Sequence, residues 1–248
     1  MDTTARRRPA DGRPRLVCFP HAGGSASYFR PLAIALSPRV ETVAVQYPGR
    51  QERRAEAPLE SVERLADEAF DALRGQPPGP FALFGHSLGA LVAFEVARRF
   101  EAAGAEPPLR LFASAGCAPS VLRRPTAQLA DDATLRAELS ALGAADRGPL
   151  SAAELRALPL PAIRADYRAV ARYRADPGAR VGIPVTALVG TEDPIVSRAD
   201  AGAWARHTTA AGALRVFAGG HFYLDHQVHG VAAAVVDALA GRPAPAAP

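Results

Sequence analysis

Six short apolar runs separated by segments of helical spacing constrain this chain more than any other feature. The runs fall at residues 16–19, 42–45, 81–84, 109–113, 185–189 and 214–217. Residues 28–36, 61–73, 88–101, 198–206 and 231–239 instead repeat apolar side chains every three or four positions. A run that is apolar throughout and too short for a helix reads as a strand buried on both faces. Strands that alternate with helices pair in parallel, because each helical crossover returns the chain to the same end of the sheet. The expected fold is therefore α/β, a mostly parallel central sheet with helices on both faces. The 248 residues, 48% hydrophobic and 22% charged, suffice for one such domain and argue against an intrinsically disordered chain.

One stretch, from about 118 to 180, breaks the rhythm and reads as short amphipathic helices. Asp132 is expected to cap a helix bearing Leu135, Leu139 and Leu142, and Ser151 with Glu154 has capping-box spacing. Beyond Pro161, Ile163, Tyr167 and Val170 line one face of a further helix. An insertion after the fourth strand lies over the carboxyl edge of the sheet, where α/β ligand sites form, so a mobile helical lid is expected there. Residues 1–14 read as a disordered lead and 241–248, rich in Ala and Pro, as a disordered tail, which leaves 15–240 as a single domain.

Charge and cysteine content exclude several function classes. The formal net charge is +4 with no lysine in the chain, and outside Arg6, Arg7 and Arg8 the arginines are interleaved with Asp and Glu. A nucleic-acid surface needs a basic stripe with aromatic spacing, so no nucleic-acid partner is expected. Pro9, Ala10, Asp11 and Gly12 stand where a twin-arginine export signal needs an apolar stretch, and no run reaches transmembrane length. Cys18 and Cys117 are too few for a disulfide framework or a four-ligand zinc site. Both read as core residues of a cytoplasmic protein.

Gly85-His86-Ser87-Leu88-Gly89 carries the chemistry. It follows the run 81–84 and opens the helical segment of Leu88, Leu91, Val92 and Val96, a strand, tight turn and helix in sequence. Glycines two before and two after the serine are what a strained nucleophile turn needs, because strand and helix backbones meet there. The bland alternative is a glycine-flanked turn whose serine caps the helix.

A serine hydroxyl is a poor nucleophile near neutral pH and needs a base, oriented by a carboxylate. His221 follows Gly219-Gly220 just past the run 214–217, a loop at a strand's carboxyl end. His207 ends a helical segment, His226 and His229 lie in or near the last one, and His86, inside the turn, is expected to line the site or pack beside the nucleophile. Asp193, past the run 185–189 and before Pro194, is the candidate acid, with Glu192 its nearest rival. The order Ser87, Asp193, His221 is that of serine enzymes with the α/β-hydrolase fold. A developing oxyanion needs two backbone N–H donors, which Leu88 and Ala22, the latter in Pro20-His21-Ala22-Gly23-Gly24, are placed to supply. His221, Asp225, His226 and His229 could suggest a metal site, but His226 and His229 lie on a helix without a third ligand at zinc-like spacing, so no metal is expected.

Cys18-Phe19-Pro20-His21-Ala22-Gly23-Gly24, Gln46-Tyr47-Pro48-Gly49-Arg50, the turn at Ser87 and Gly219-Gly220-His221-Phe222 together resemble the type II thioesterases of polyketide and nonribosomal peptide synthesis. The resemblance spans about residues 15–240. It implies an α/β-hydrolase with a helical lid, a triad of Ser87, Asp193 and His221, and oxyanion donors at Ala22 and Leu88. It further implies hydrolysis of acyl thioesters on the phosphopantetheine arm of an acyl or peptidyl carrier protein, with no cofactor of the enzyme's own.

Carrier proteins are usually acidic, so arginine clusters are candidate docking sites. Arg50, Arg53 and Arg54 follow the Pro48-Gly49 turn, and Arg164, Arg168 and Arg172 recur every four residues on the expected lid helix, with Tyr167 on its opposite face as a candidate lining of an acyl tunnel. The alternative for both clusters is a solvated face paired with carboxylates. The rival functions are a product-releasing thioesterase domain, against which the short lead argues, a general carboxylesterase, and a catalytically silent binding protein. A monomer is expected, without membrane association.

Overall fold

The computed structural model describes residues 12–123, 131–147, 151, 159–176 and 178–241. Most of the expected lead, all but the first residue of the tail, and Glu154 of the Ser151 spacing lie outside the described residues.

Six strands, β1 (Arg15–Phe19), β2 (Glu41–Ala44), β3 (Phe81–His86), β4 (Leu111–Ser114), β5 (Val185–Gly190) and β6 (Gly212–Phe217), form one sheet. Their order is β2-β1-β3-β4-β5-β6, and every neighbouring pair is parallel. Each apolar run of the sequence is thus a strand, with ends shifted by at most two residues.

Alternate side chains of the strands enter two separate cores. Val17, Phe19, Leu83 and Val185 face helices α2 (Val62–Arg74) and α3 (Leu88–Ala102). Leu16, Cys18, Phe84 and Leu188 face the opposite layer. There α1 (Arg30–Leu36) contributes Leu32 and Leu36, and the last helix, Val228–Leu239, contributes Val231 and Val235. Burial on both faces explains why the strands read as continuous apolar runs rather than as alternating ones.

The helical insertion lies between β4 and β5 and contains α4 (Asp132–Arg147) and α5 (Leu160–Arg172). Leu135, Leu160 and Ile163 form a third small core with Leu139 and Tyr167. The cap of α4 is Asp131, not Asp132. Asp131 accepts Thr134 N–H at 2.8 Å, while Asp132 is the first helical residue and pairs with Arg164. The expected helix over 198–206 is two pieces, α6 (Arg198–Gly202) and a 3-10 turn, Ala203–His207. A capping box between Ser197 and Asp200 starts the first piece, and His207, held by Ala179 and Ser120, fixes the end of the second. The last helix is α7 (Val228–Leu239).

Strand order reverses between β1 and β3, since β2 lies outside β1 while β3 and its successors extend the other way. The chain leaving β1 and the chain leaving β3 run to helices on opposite faces of the sheet, the place at its carboxyl edge where α/β folds form their ligand sites.

Candidate active site

Ser87 fills the turn at that edge, between β3 and α3. Its φ of 56° and ψ of −118° lie in a region that costs a non-glycine residue about 1–3 kcal/mol. The main chain holds it there: Ser87 N–H donates to Ser114 O at 2.8 Å, and Ser87 O accepts Ala90 N–H at 3.0 Å. A Cβ on Gly85 would overlap the Gly89 carbonyl, and one on Gly89 the Phe19 carbonyl, so β1, β3 and α3 converge only around glycine.

The other two side chains arrive on the loops after β5 and β6. Thr191 N–H donates to Phe217 O at 2.8 Å and Glu192 N–H to Gly219 O at 2.9 Å, which stitches the loops together. His221 Nδ1 then stands 2.9 Å from Asp193 Oδ2, and His221 Nε2 stands 3.0 Å from Ser87 Oγ. Asp193 Oδ1 accepts the N–H groups of Ile195 and Val196 at 2.8 and 3.0 Å. The imidazole and the carboxylate are fully buried. A carboxylate that only accepts puts the imidazole proton on Nδ1 and leaves Nε2 to accept from the Ser87 hydroxyl.

The structure separates these residues from their rivals. Glu192, His226 and His229 are exposed. His207 is buried far along the chain from the turn, with Nδ1 at 2.9 Å from Ala179 O and Nε2 accepting Ser120 N–H at 3.2 Å; burial lowers its pKa from the ordinary value. His86 packs beside the nucleophile as expected, its ring 5.6 Å from that of His221 and its Nδ1 at 2.9 Å from Ser114 Oγ. Ser114 Oγ in turn lies 2.6 Å from Tyr223 OH, a buried chain that the sequence did not reveal. Among the described residues, no three His, Cys, Asp or Glu side chains are grouped to hold a metal ion.

Two backbone segments flank Ser87. Leu88 is the first residue of α3, where helical N–H groups have no partner within the helix. After β1, Gly24 N–H donates to His21 O at 2.9 Å and closes a turn with Ala22 and Gly23 at its centre, Gly23 having φ +76°. Gly23 N–H donates to Asp166 of α5 at 2.7 Å. A cavity of about 680 Å³ opens beside this turn, lined among others by Gly23, Arg50, Arg54 and Pro159.

The expectation for Arg50 is overturned. It is not a surface cation but lies buried at 4% exposure, donating to Asp166 through both terminal nitrogens at 2.8 and 2.9 Å and to Gly24 O at 3.1 Å. Burial raises the Asp166 pKa, while Arg50 and Gly23 N–H pull it back. Arg53 is committed to Gln46 O, Glu56 and Glu68, and Arg164 to Asp132. Arg168 and Arg172 share the single carboxylate of Glu60, and Arg54 is exposed. Tyr167 packs with Leu135, Leu160 and Ile163 between α4 and α5, and burial pushes its phenol up to about 12.

A parallel sheet that presents a serine on a strained turn, with a histidine and an aspartate on the loops of two later strands, defines an α/β-hydrolase. The profile of the family described as Thioesterase domain matches residues 14–239, and the chain belongs to that family of thioester hydrolases. It is 45% identical over 226 residues to "Thioesterase PikA5" of Streptomyces venezuelae, covering 91% of this chain and 80% of that one. It is 42% identical to the "Probable cadicidin biosynthesis thioesterase" of Streptomyces griseus, covering 99% and 70%. Among solved structures, the type II thioesterase BorB from the borrelidin biosynthetic cluster superposes with a TM-score of 0.86 at 46% identity, over 94% of both chains.

Proposed function

We propose that this chain is an editing thioesterase, which hydrolyses acyl groups from the phosphopantetheine arm of an acyl or peptidyl carrier protein and so clears stalled or mis-primed polyketide or nonribosomal peptide synthases. The observation that carries the reading is the continuous contact from Asp193 through His221 to Ser87 Oγ, beside a turn with its backbone donors at hand. The likeness to BorB and PikA5 supports the substrate class.

In this scheme Ser87 Oγ attacks the thioester carbonyl as His221 Nε2 takes its proton, and Asp193 stabilises the imidazolium that results. Leu88 N–H and Ala22 N–H receive the oxyanion, an interaction stronger in the transition state than in the ground state. The pantetheine thiolate leaves, the acyl group stays on Ser87, and water activated by His221 releases the acid. His221 carries the proton transfers and the two N–H donors stabilise the oxyanion, so the scheme calls for no cofactor; the phosphopantetheine belongs to the substrate.

Docking of an acidic carrier falls to Arg54, Arg168 and Arg172, since the last two guanidiniums share one carboxylate and leave a net positive charge on α5. Presenting one acyl group on a carrier protein, as a small thioester and as the matching oxygen ester tests the reading. Preference for the carrier-bound thioester supports it, and equal or faster turnover of the oxygen ester makes the protein a general esterase.

A further inference from the structure

Asp166 belongs to the insertion between β4 and β5, yet its carboxylate is wholly buried and directed at the loop after β1. Oδ2 accepts both Gly23 N–H at 2.7 Å and Arg50 Nη1 at 2.8 Å, while Oδ1 accepts Arg50 Nη2 at 2.9 Å. Arg50 Nη1 reaches on to Gly24 O at 3.1 Å. One helical turn earlier, Ile163 packs so closely on Gly23 that a side chain there would displace it. A single face of α5 therefore grips the turn from His21 to Gly24 by apolar contact, by a backbone hydrogen bond and by a bidentate ion pair. The triad, by contrast, is held by β3 and by the loops after β5 and β6. A buried ion pair is a costly way to fill space, because apolar residues of similar shape stabilise as well or better. Its geometry here serves orientation instead.

We propose that Asp166 is a positioning residue, which holds the oxyanion donor Ala22 N–H in register with Ser87 only while α5 is seated on the turn. This rests on the reading of Ser87 as nucleophile and of Ala22 as oxyanion donor. Loss of the Asp166 contact would then leave the triad assembled and the oxyanion site incomplete, so turnover depends on the seating of α5 against this turn.

The test compares wild type, Ser87→Ala, the double variant Arg50→Met/Asp166→Leu and Asp166→Glu on a small acyl thioester. Wild-type turnover that is lost in Ser87→Ala establishes the underlying reading independently. The double variant removes both charges together, so no unpaired charge is buried, and its Tm is expected to stay within a few degrees of wild type. Its kcat is expected to fall about 10²-fold, with KM changed less than about twofold. Affinity for a trifluoromethyl ketone analogue, which forms a tetrahedral oxyanion on Ser87, falls in step with kcat, whereas affinity for a non-hydrolysable thioether analogue does not. Asp166→Glu keeps both charges but shifts the carboxylate by one methylene. It is expected to show the same split at about 10-fold, and it carries the test if the double variant does not fold. Wild-type kcat and ketone affinity in a folded variant overturn the proposal, as does a matching loss of thioether affinity.

Discussion

Asp193 holds His221 with one carboxylate oxygen while its other oxygen is fixed by the main chain. Oδ2 stands 2.9 Å from Nδ1, and Oδ1 accepts Ile195 N–H at 2.8 Å and Val196 N–H at 3.0 Å. The loop after β5 thus presets the acid, and the acid presets the imidazole tautomer.

Asp193→Asn separates geometry from tautomer. The side-chain oxygen can keep both amide bonds, but the amide NH₂ would face Nδ1 and drive the proton to Nε2, where it can no longer accept from Ser87. A fall in kcat of about 10³- to 10⁴-fold is expected with little change in KM. Steady-state kinetics on a small thioester measure it, and an activity within tenfold of wild type would detach Asp193 from the triad.

Gly85→Ala tests the packing that makes the turn. Its Cβ would overlap the Gly89 backbone, which no rotamer change relieves. The expected loss is about 3 kcal/mol or more, a drop in Tm of roughly 6–12 °C for a domain of this size. Scanning calorimetry reads it directly.

His207 gives a pH dependence to stability. Burial first, then Arg180 and Arg206, lower its pKa from 6.5 in the folded chain. The unfolded chain therefore takes up a proton below about pH 6.5 that the folded chain refuses, so this contribution is complete above that pH and is lost as the pH falls. Tm is expected to drop between pH 7 and pH 5, and to drop less in His207→Gln.

Arg168→Glu with Arg172→Glu probes the carrier. Both residues make exposed pairs with Glu60, which contribute at most about 1 kcal/mol, so folding and turnover of a small thioester should hold. With a carrier-bound acyl group, KM is expected to rise about 10-fold and to become less sensitive to salt. Unchanged kinetics on the carrier would confine both arginines to the solvated face.

The sequence made the sheet legible because strands buried on both faces must be apolar throughout, and it marked Ser87 because Gly85 and Gly89 answer a local steric demand. Asp193 and His221 could be found from their places just past strands. Arg50 misled for a physical reason: beside Arg53 and Arg54 it looks like one of a charged cluster, and its partner Asp166 lies 116 residues on, in a helix with no mark of special use. Asp132 misled because its neighbour Asp131 has the same side chain, and only the bond to Thr134 N–H marks Asp131 as the cap. The chain from His86 through Ser114 to Tyr223 joins three strand and loop positions that share no local pattern. What escaped the sequence was long-range pairing of polar side chains.

The central claim is that an acyl group passes covalently through Ser87. Rapid mixing with an excess of acyl thioester, acid quench and mass analysis of the peptide bearing residue 87 tests it most directly. The account predicts thiol release and a peptide heavier by one acyl group, both absent in Ser87→Ala. Thiol release without acylated Ser87 at any time, or surviving in Ser87→Ala, would contradict it.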